Sequence, residues 1–224
     1  MARLLVVLTL ALAGYHGWIF WQVRRLRDHD PHTTAFMRSG LERLRSSDPN
    51  ARLAHHWVPY EQISEHLKRA VIAGEDQRFL DHDGFDVEAI QDAYERNARG
   101  GRVRHGGSTI SQQLAKNLFL SPQRNYLRKA QEALITMMIE HVLSKRRILE
   151  IYLNVIEWGD GIYGAEAAAQ HYYGRTAADL KRKEAARLAA IIPSPRIYTR
   201  NPSTPYIEQR MEILLDEMDD VRVP

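Results

Sequence analysis

Residues 106–132 read GGSTISQQLAKNLFLSPQRNYLRKAQE, and this stretch decides both the fold class and the chemistry. The glycines Gly106-Gly107 precede Ser108-Thr109, a hydroxyl pair placed where a helix N-cap would stand. Ile110, Leu114 and Leu118 then recur at i+4 and mark one apolar helix face. Thr109, Gln112, Gln113 and Lys116 fall on the opposite face, and Asn117 lies beside them. Ser121-Pro122 reads as a second cap followed by proline at the first helical position. The helix it opens would carry Leu134, Met138 and Val142 inward. A turn folding the two helices together gathers Lys116, Arg124 and Arg128. Such a cluster suits a diphosphate, with Arg offering bidentate contacts and Lys a point charge. The glycine pair ahead of a helix start frees backbone N–H groups to face an anion.

Outward from this stretch, helix signals dominate. Ile63, Leu67 and Val71 recur at i+4 after Pro59, and residues 87–97 follow a Gly-Phe-Asp turn. Residues 148–156, 165–172 and 185–192 read as helices, as do 206–218 after the Thr204-Pro205 start. WGDGIYG at 158–164 is a glycine-punctuated loop. No alternating strand pattern, internal repeat or low-complexity run stands out. The expected class is all-α.

Two carboxylates invite attention. Glu75 is the next i+4 step after Ile63, Leu67 and Val71, with Val71, Ile72 and Phe79 as helical neighbours. A carboxylate that extends an apolar stripe is partly desolvated, and its raised basicity suits a general base. The plainer reading is an acid at a helix end where the stripe has drifted to solvent. Asp76 is the rival, one step off the stripe, while His82 and Asp83 before Gly84 read as turn residues. Glu132 follows Arg128 at i−4 and Lys129 at i−3, which could be only a surface ion pair worth about 0.2–0.5 kcal/mol.

With 224 residues the chain can hold one domain with a proper core plus an anchor. A net charge of +3 and a pI near 9.1 suit an anionic membrane surface or a phosphorylated substrate. No basic stripe carries interleaved aromatics, so nucleic-acid binding is not expected. There is no cysteine, which excludes disulfides, zinc ribbons and thiol nucleophiles. From Leu4 to Val23 no residue is charged, and such a run of about 20 positions spans a bilayer core as a helix. Trp18, Phe20 and Trp21 sit at its end as interface aromatics. The competing reading is a signal peptide cut near Ala11-Leu12-Ala13. Arg24, Arg25 and Arg27 follow the run and by charge count would hold the C-terminal part in the cytoplasm. The site chemistry asks for the opposite orientation. The expected organisation is an anchor at 1–27, a juxtamembrane stalk with one weak helix at 28–56, and a catalytic domain at 57–224.

Four blocks, GEDQRFLDHDGFD, GGSTISQQLAKNLFL, RKAQE and KRRILEIYLNVIEWGDGIYGAEAAAQHYYG, resemble in order and spacing those of the family 51 peptidoglycan glycosyltransferases. The resemblance covers roughly residues 57–202. The chain has no SxxK or KTG transpeptidase signature, so it is most similar to the stand-alone monofunctional type. The resemblance implies a lysozyme-like, all-α fold behind a transmembrane helix, with a small lobe between the first two blocks that dips into the membrane. It implies Glu75 as catalytic base, Glu132 as second catalytic carboxylate, and Lys116 and Arg124 as ligands of the donor's pyrophosphate. Ser108, Thr109, Gln112, Gln113, Asn117, Arg128 and Lys129 would line the same cleft, with Asp76, Phe79 and His82 beside the base. Ser111 stands where the family usually has Thr and keeps the hydroxyl.

The implied reaction joins lipid II into β-1,4-linked glycan with inversion and release of undecaprenyl diphosphate. It would need a divalent cation (Mg or Mn), with Glu132 a candidate ligand, and no organic cofactor. Lipid II, the growing glycan chain, the membrane and proteins of division or elongation are the implied partners. The place is the inner membrane, with one pass and the catalytic domain outside. Two other readings share the fold or the location. A glycan-cleaving lysozyme-like enzyme would have no diphosphate to hold, so the cation cluster argues against it. A non-catalytic membrane adaptor of cell-wall synthesis would have no need of Glu75.

Overall fold

The computed structural model describes residues 1–91, 107–123, 125–201 and 204–224. Its helices are α1 (Ala2–Arg25), α2 (Ala35–Arg45), α3 (Glu65–Glu75), α4 (Ile110–Phe119) and α5 (Tyr126–Val142). They continue as α6 (Lys145–Val155), α7 (Ala165–Tyr173), α8 (Arg182–Ile191), α9 (Pro195–Arg200) and α10 (Pro205–Glu217). Residues 87–91 are also helical; the rest of the helix expected over 87–97 lies outside the described residues.

The core is built on α4 and α6. Ile110, Leu114 and Ala115 of α4 are fully buried, as are Ile148, Leu149, Ile151, Tyr152, Leu153 and Val155 of α6. A helix buried on nearly every side must sit inside the bundle, and α6 packs against α4, α5 and α7. A second group has α8 between α3 and α10. Its alanines, Ala185, Ala186, Ala189 and Ala190, are all buried and let both neighbours approach closely. α10 also touches α3, which brings a C-terminal helix up to the end of the helix that carries Glu75.

The domain is predominantly helical, as expected, and differs from expectation in local details. A small three-stranded sheet is present: β1 (Ala54–His55), β2 (Glu157–Gly159) and β3 (Ile162–Tyr163), in the order β1-β3-β2. β1 runs parallel and β2 antiparallel to β3, so the WGDGIYG loop is a short hairpin. Strands of two or three residues are too short for an alternating pattern to show. α5 opens at Tyr126, not at Ser121-Pro122, because Asn125 supplies the cap by accepting the Arg128 N–H at 2.7 Å. Its inward residues are Glu132, Ile135, Thr136 and Ile139, while Leu134 is 41% exposed and Met138 and Val142 are half-buried. α5 is apolar on more than one side, so periodicity could not select the face that meets α4.

Residues 28–56, read as a stalk, are held against the domain. Met37 is buried, and Gly40 lies so close to the Tyr163 hydroxyl that a Cβ would not fit. Arg43 bonds to Glu157 at 3.3 Å and to Asp160 at 2.5 Å. α1 is long and apolar enough to cross a membrane, and its last turns bury Ile19 and Val23 where it meets α5.

Candidate active site

Glu75 is the last residue of α3, and its side chain is only 10% exposed. One oxygen, Oε2, accepts the Gln113 amide N–H at 2.8 Å; the other, Oε1, faces the Arg210 guanidinium at 3.3 Å. Burial pushes its pKa above the ordinary carboxylate range; the Gln113 hydrogen bond, Arg210 and Lys116 act in the opposite sense, and Asp76 adds to the rise. The result is a carboxylate that binds a proton more readily than one in water while its ionised form is still held by two donors.

Asp76 has a different task. Its Oδ2 accepts the Ile110 N–H at 2.9 Å at the start of α4, and its Oδ1 takes a bond from His82 Nε2 at 2.8 Å. His82 Nδ1 accepts the Gly84 N–H at 3.1 Å, so the ring proton is on Nε2. Gly84, at φ +91°, offers its carbonyl to the Thr109 hydroxyl at 2.7 Å. Thr109 and Gln112 form the capping box of α4. Phe79 is fully buried, with Lys145 Nζ 4.7 Å from its ring centroid. Ser111 donates to Glu140 at 2.5 Å and so ties α4 to α5. Asp76, His82, Thr109 and Gln112 thus fasten the backbone on either side of Glu75, while Asp76 and Thr109 also line the hollow beside it and Gln112 the cationic one.

Lys116, Arg128 and Lys129 gather around Glu132. Glu132 is 3% exposed and accepts Arg128 at 2.8 Å and Lys129 at 2.5 Å. An isolated buried carboxylate would cost several kcal/mol, and two cations offset that where a lone surface pair could not. Lys129 also reaches the Ser108 hydroxyl at 3.5 Å. Burial pushes the Lys116 ammonium below its usual range, opposed by Glu132 and Glu75 and reinforced by Arg128 and Lys129. These groups line a hollow of about 290 Å³ with Phe36, Gln112, Gln113 and Pro122. Asn117 donates to the Gln113 carbonyl at 2.7 Å, so its amide braces α4. Arg124 and Gly106, both assigned to this site from sequence, lie outside the described residues.

Two further hollows extend the cleft. One of about 360 Å³ takes in Glu75, Arg78, Ser108 and Glu217; one of about 330 Å³ takes in Phe36, Gln113, Lys116, Tyr152 and Arg196. Ser108 lines both the first and the cationic hollow, and Phe36, Gln113 and Lys116 line both the second and the cationic hollow, so the three adjoin one another. Sequence reading missed Phe36, Tyr152, Arg196 and Arg210. Only Arg210 left a signal there: it sits between Ile207 and Leu214, a cation on the buried stripe of α10.

Among the described residues, two places offer carboxylates to a divalent cation. Glu132 is one carboxylate, and both its oxygens are engaged by cations. Asp76, His82 and Asp86 lie close enough to share an ion, but His82 Nε2 carries a proton toward Asp76, and Asp86 accepts the Ala89 N–H at 2.9 Å.

A desolvated proton acceptor at one end of a cleft and cations at the other suit transfer of a group away from an anionic leaving group, on a domain tethered by a membrane-spanning helix. The chain belongs to the Transglycosylase family, whose model matches residues 42–219. It is similar to the biosynthetic peptidoglycan transglycosylase of Azoarcus sp. (strain BH72), 60% identical over 201 residues, or 90% of this chain and 87% of the relative. The protein of that description from Nitrosospira multiformis is 53% identical over 222 residues, covering 99% of this chain and 96% of the relative. The one from Dechloromonas aromatica is 51% identical over 228 residues, covering 100% and 99%. The helical domain therefore has the lysozyme-like fold of a peptidoglycan glycosyltransferase, an enzyme that polymerises lipid II into glycan strands. It is a single-pass inner-membrane protein with the catalytic domain facing out, against the orientation that the arginine count alone would favour.

Proposed function

We propose that Glu75 is the base of this polymerisation and that Lys116, Arg128, Lys129 and Arg124 receive the diphosphate of the donor. Glu75 takes the proton from the 4-hydroxyl of the acceptor GlcNAc. That oxygen bonds to C1 of the donor MurNAc as the bond from C1 to the diphosphate oxygen breaks. The electron pair leaves with undecaprenyl diphosphate, and attack from the opposite face inverts the anomeric centre to a β-1,4 bond. The observation that carries this reading is the pair of adjoining hollows that share Ser108, with Glu75 in one and the cations in the other. Preorganised positive charge where the leaving group develops its own charge is the stabilisation such a step needs.

In this reading Glu132 is the counter-charge that holds Arg128 and Lys129 in place, and not a second proton carrier. A divalent cation (Mg or Mn) would enter with the substrate's phosphates, beside Glu132, and would supply further charge to the leaving group. The protein alone should then show the same Tm in magnesium and in chelator, and a drop of several degrees in chelator would assign a resident ion. The growing glycan chain would occupy the donor side. Proteins of division or elongation would be met at the same membrane face.

The test is polymerisation of purified lipid II by the full-length protein with magnesium, beside Glu75→Gln and Glu132→Gln. Glycan from the wild type and none from Glu75→Gln is the expected result. Full activity in Glu75→Gln would overturn the assignment of the base.

A further inference from the structure

Gln113 is the group that meets Glu75 most closely, and all of its amide atoms are engaged. Nε2 donates to Glu75 Oε2 at 2.8 Å and, at 3.4 Å, to the Ser108 carbonyl. Oε1 accepts the Tyr152 hydroxyl at 2.9 Å. Tyr152 is fully buried on α6, and burial, with Glu75 and Asp76 nearby, raises its pKa well above the usual phenol value. It therefore stays a neutral O–H that has a proton to give. A primary amide can be turned over at small steric cost, and what decides its orientation is the hydrogen bonds at its two ends. Turned over, Gln113 would aim its oxygen at the Glu75 carboxylate and would favour the protonated acid.

We propose that Tyr152 is a positioning residue for the catalytic base, holding Gln113 so that its N–H faces Glu75. This inference rests on the reading of Glu75 as the base. The groups that face Glu75 are Arg210 from α10, Lys116 and Gln113 from α4, Tyr152 from α6 and the adjacent Asp76. Arg210 also donates to the Gly74 carbonyl at 2.9 Å, so it holds the helix end as well as Oε1. Oε2 has only Gln113 as its hydrogen-bond donor among the described residues. Loss of the Tyr152 hydroxyl therefore weakens the one donor that keeps that oxygen ionised.

The experiment is the pH dependence of lipid II polymerisation by full-length Tyr152→Phe, with Tm measured alongside and Glu75→Gln as reference. One hydrogen bond to the charged form is worth up to about tenfold in the ionisation equilibrium. The acidic limb of the profile should therefore move to higher pH, with a kcat loss of up to about tenfold on the acidic side of the limb that shrinks as the pH rises. KM should change little. A loss of equal size at every pH, or an unmoved limb, would show a packing role and overturn the inference. Should Tyr152→Phe not fold, Gln113→Met decides: it removes the amide at similar length and should displace the limb in the same direction, and a wild-type limb defeats the inference. An active Glu75→Gln would overturn both this inference and the assignment of the base. An inactive one beside a wild-type limb in Tyr152→Phe defeats the inference alone.

Discussion

Glu75 and Glu132 are both buried carboxylates on helix ends or faces that line one cleft, yet their surroundings differ in kind. Glu75 meets one amide, at 2.8 Å, and one guanidinium, at 3.3 Å, beneath the apolar end of α3. Glu132 is gripped at both oxygens by Arg128 and Lys129, at 2.8 and 2.5 Å. The first arrangement leaves a proton-binding carboxylate; the second spends the carboxylate on holding cations. What a buried acid does is set by what desolvates it and what neutralises it, and the amino-acid type alone says little.

The comparison can be broken at its strongest point with Glu75→Gln. Loss of a general base is expected to lower kcat by about 10³-fold or more, measured as glycan formed from lipid II, while a residual rate within tenfold of wild type would remove the contrast. Lys116→Ala comes next. It takes away a half-buried charge from the leaving-group hollow, and about 10²-fold in kcat/KM is expected. Glu132→Gln should cost less, about tenfold in kcat, with KM for lipid II not raised because the cations that would bind phosphate remain. A loss as deep as that of Glu75→Gln would make Glu132 a second essential group.

The smallest effect is thermal, and its sign separates the two sites. The folded-state pKa of Glu75 is raised, so the stability that it contributes is present below the unfolded carboxylate value, about 4.3, and is lost as pH rises through the folded value. Glu75→Gln should therefore match the wild type near pH 4 and exceed it above neutrality, by about 2–4 °C in Tm if 1 kcal/mol is recovered. Glu132→Gln should lower Tm at neutral pH, because it strands two cations beside each other. Shifts of the same sign in both variants would mean that the two carboxylates are alike after all.

Much of this was legible in the chain, and for identifiable reasons. The stripe Ile63, Leu67, Val71, Glu75 places an acid where a solvated residue does not belong, and its side chain is only 10% exposed. The same signal stood at Arg210 between Ile207 and Leu214 and was not read, because a misplaced cation has no meaning until the helix that faces it is known. On α5, Met138 and Val142 pack against the core as expected, while Leu134 stays exposed because apolar residues surround that helix. The segment 28–56 reads as polar, yet α2 buries Met37 and docks through Gly40 and Arg43 onto Tyr163, Glu157 and Asp160, more than a hundred positions away.

The helical class, the membrane-spanning segment and the cap of α4 can be read from the chain alone, because each depends on residues close together along it: about one helical turn for the cap, about 20 residues for the span. Only the tertiary structure decided the partners of the ionisable groups. The meeting of α3 with α10 gives Glu75 its guanidinium; the meeting of α4 with α6 gives Gln113 its phenol. Desolvation and hydrogen bonding act over a few ångströms of space, whatever the distance along the chain.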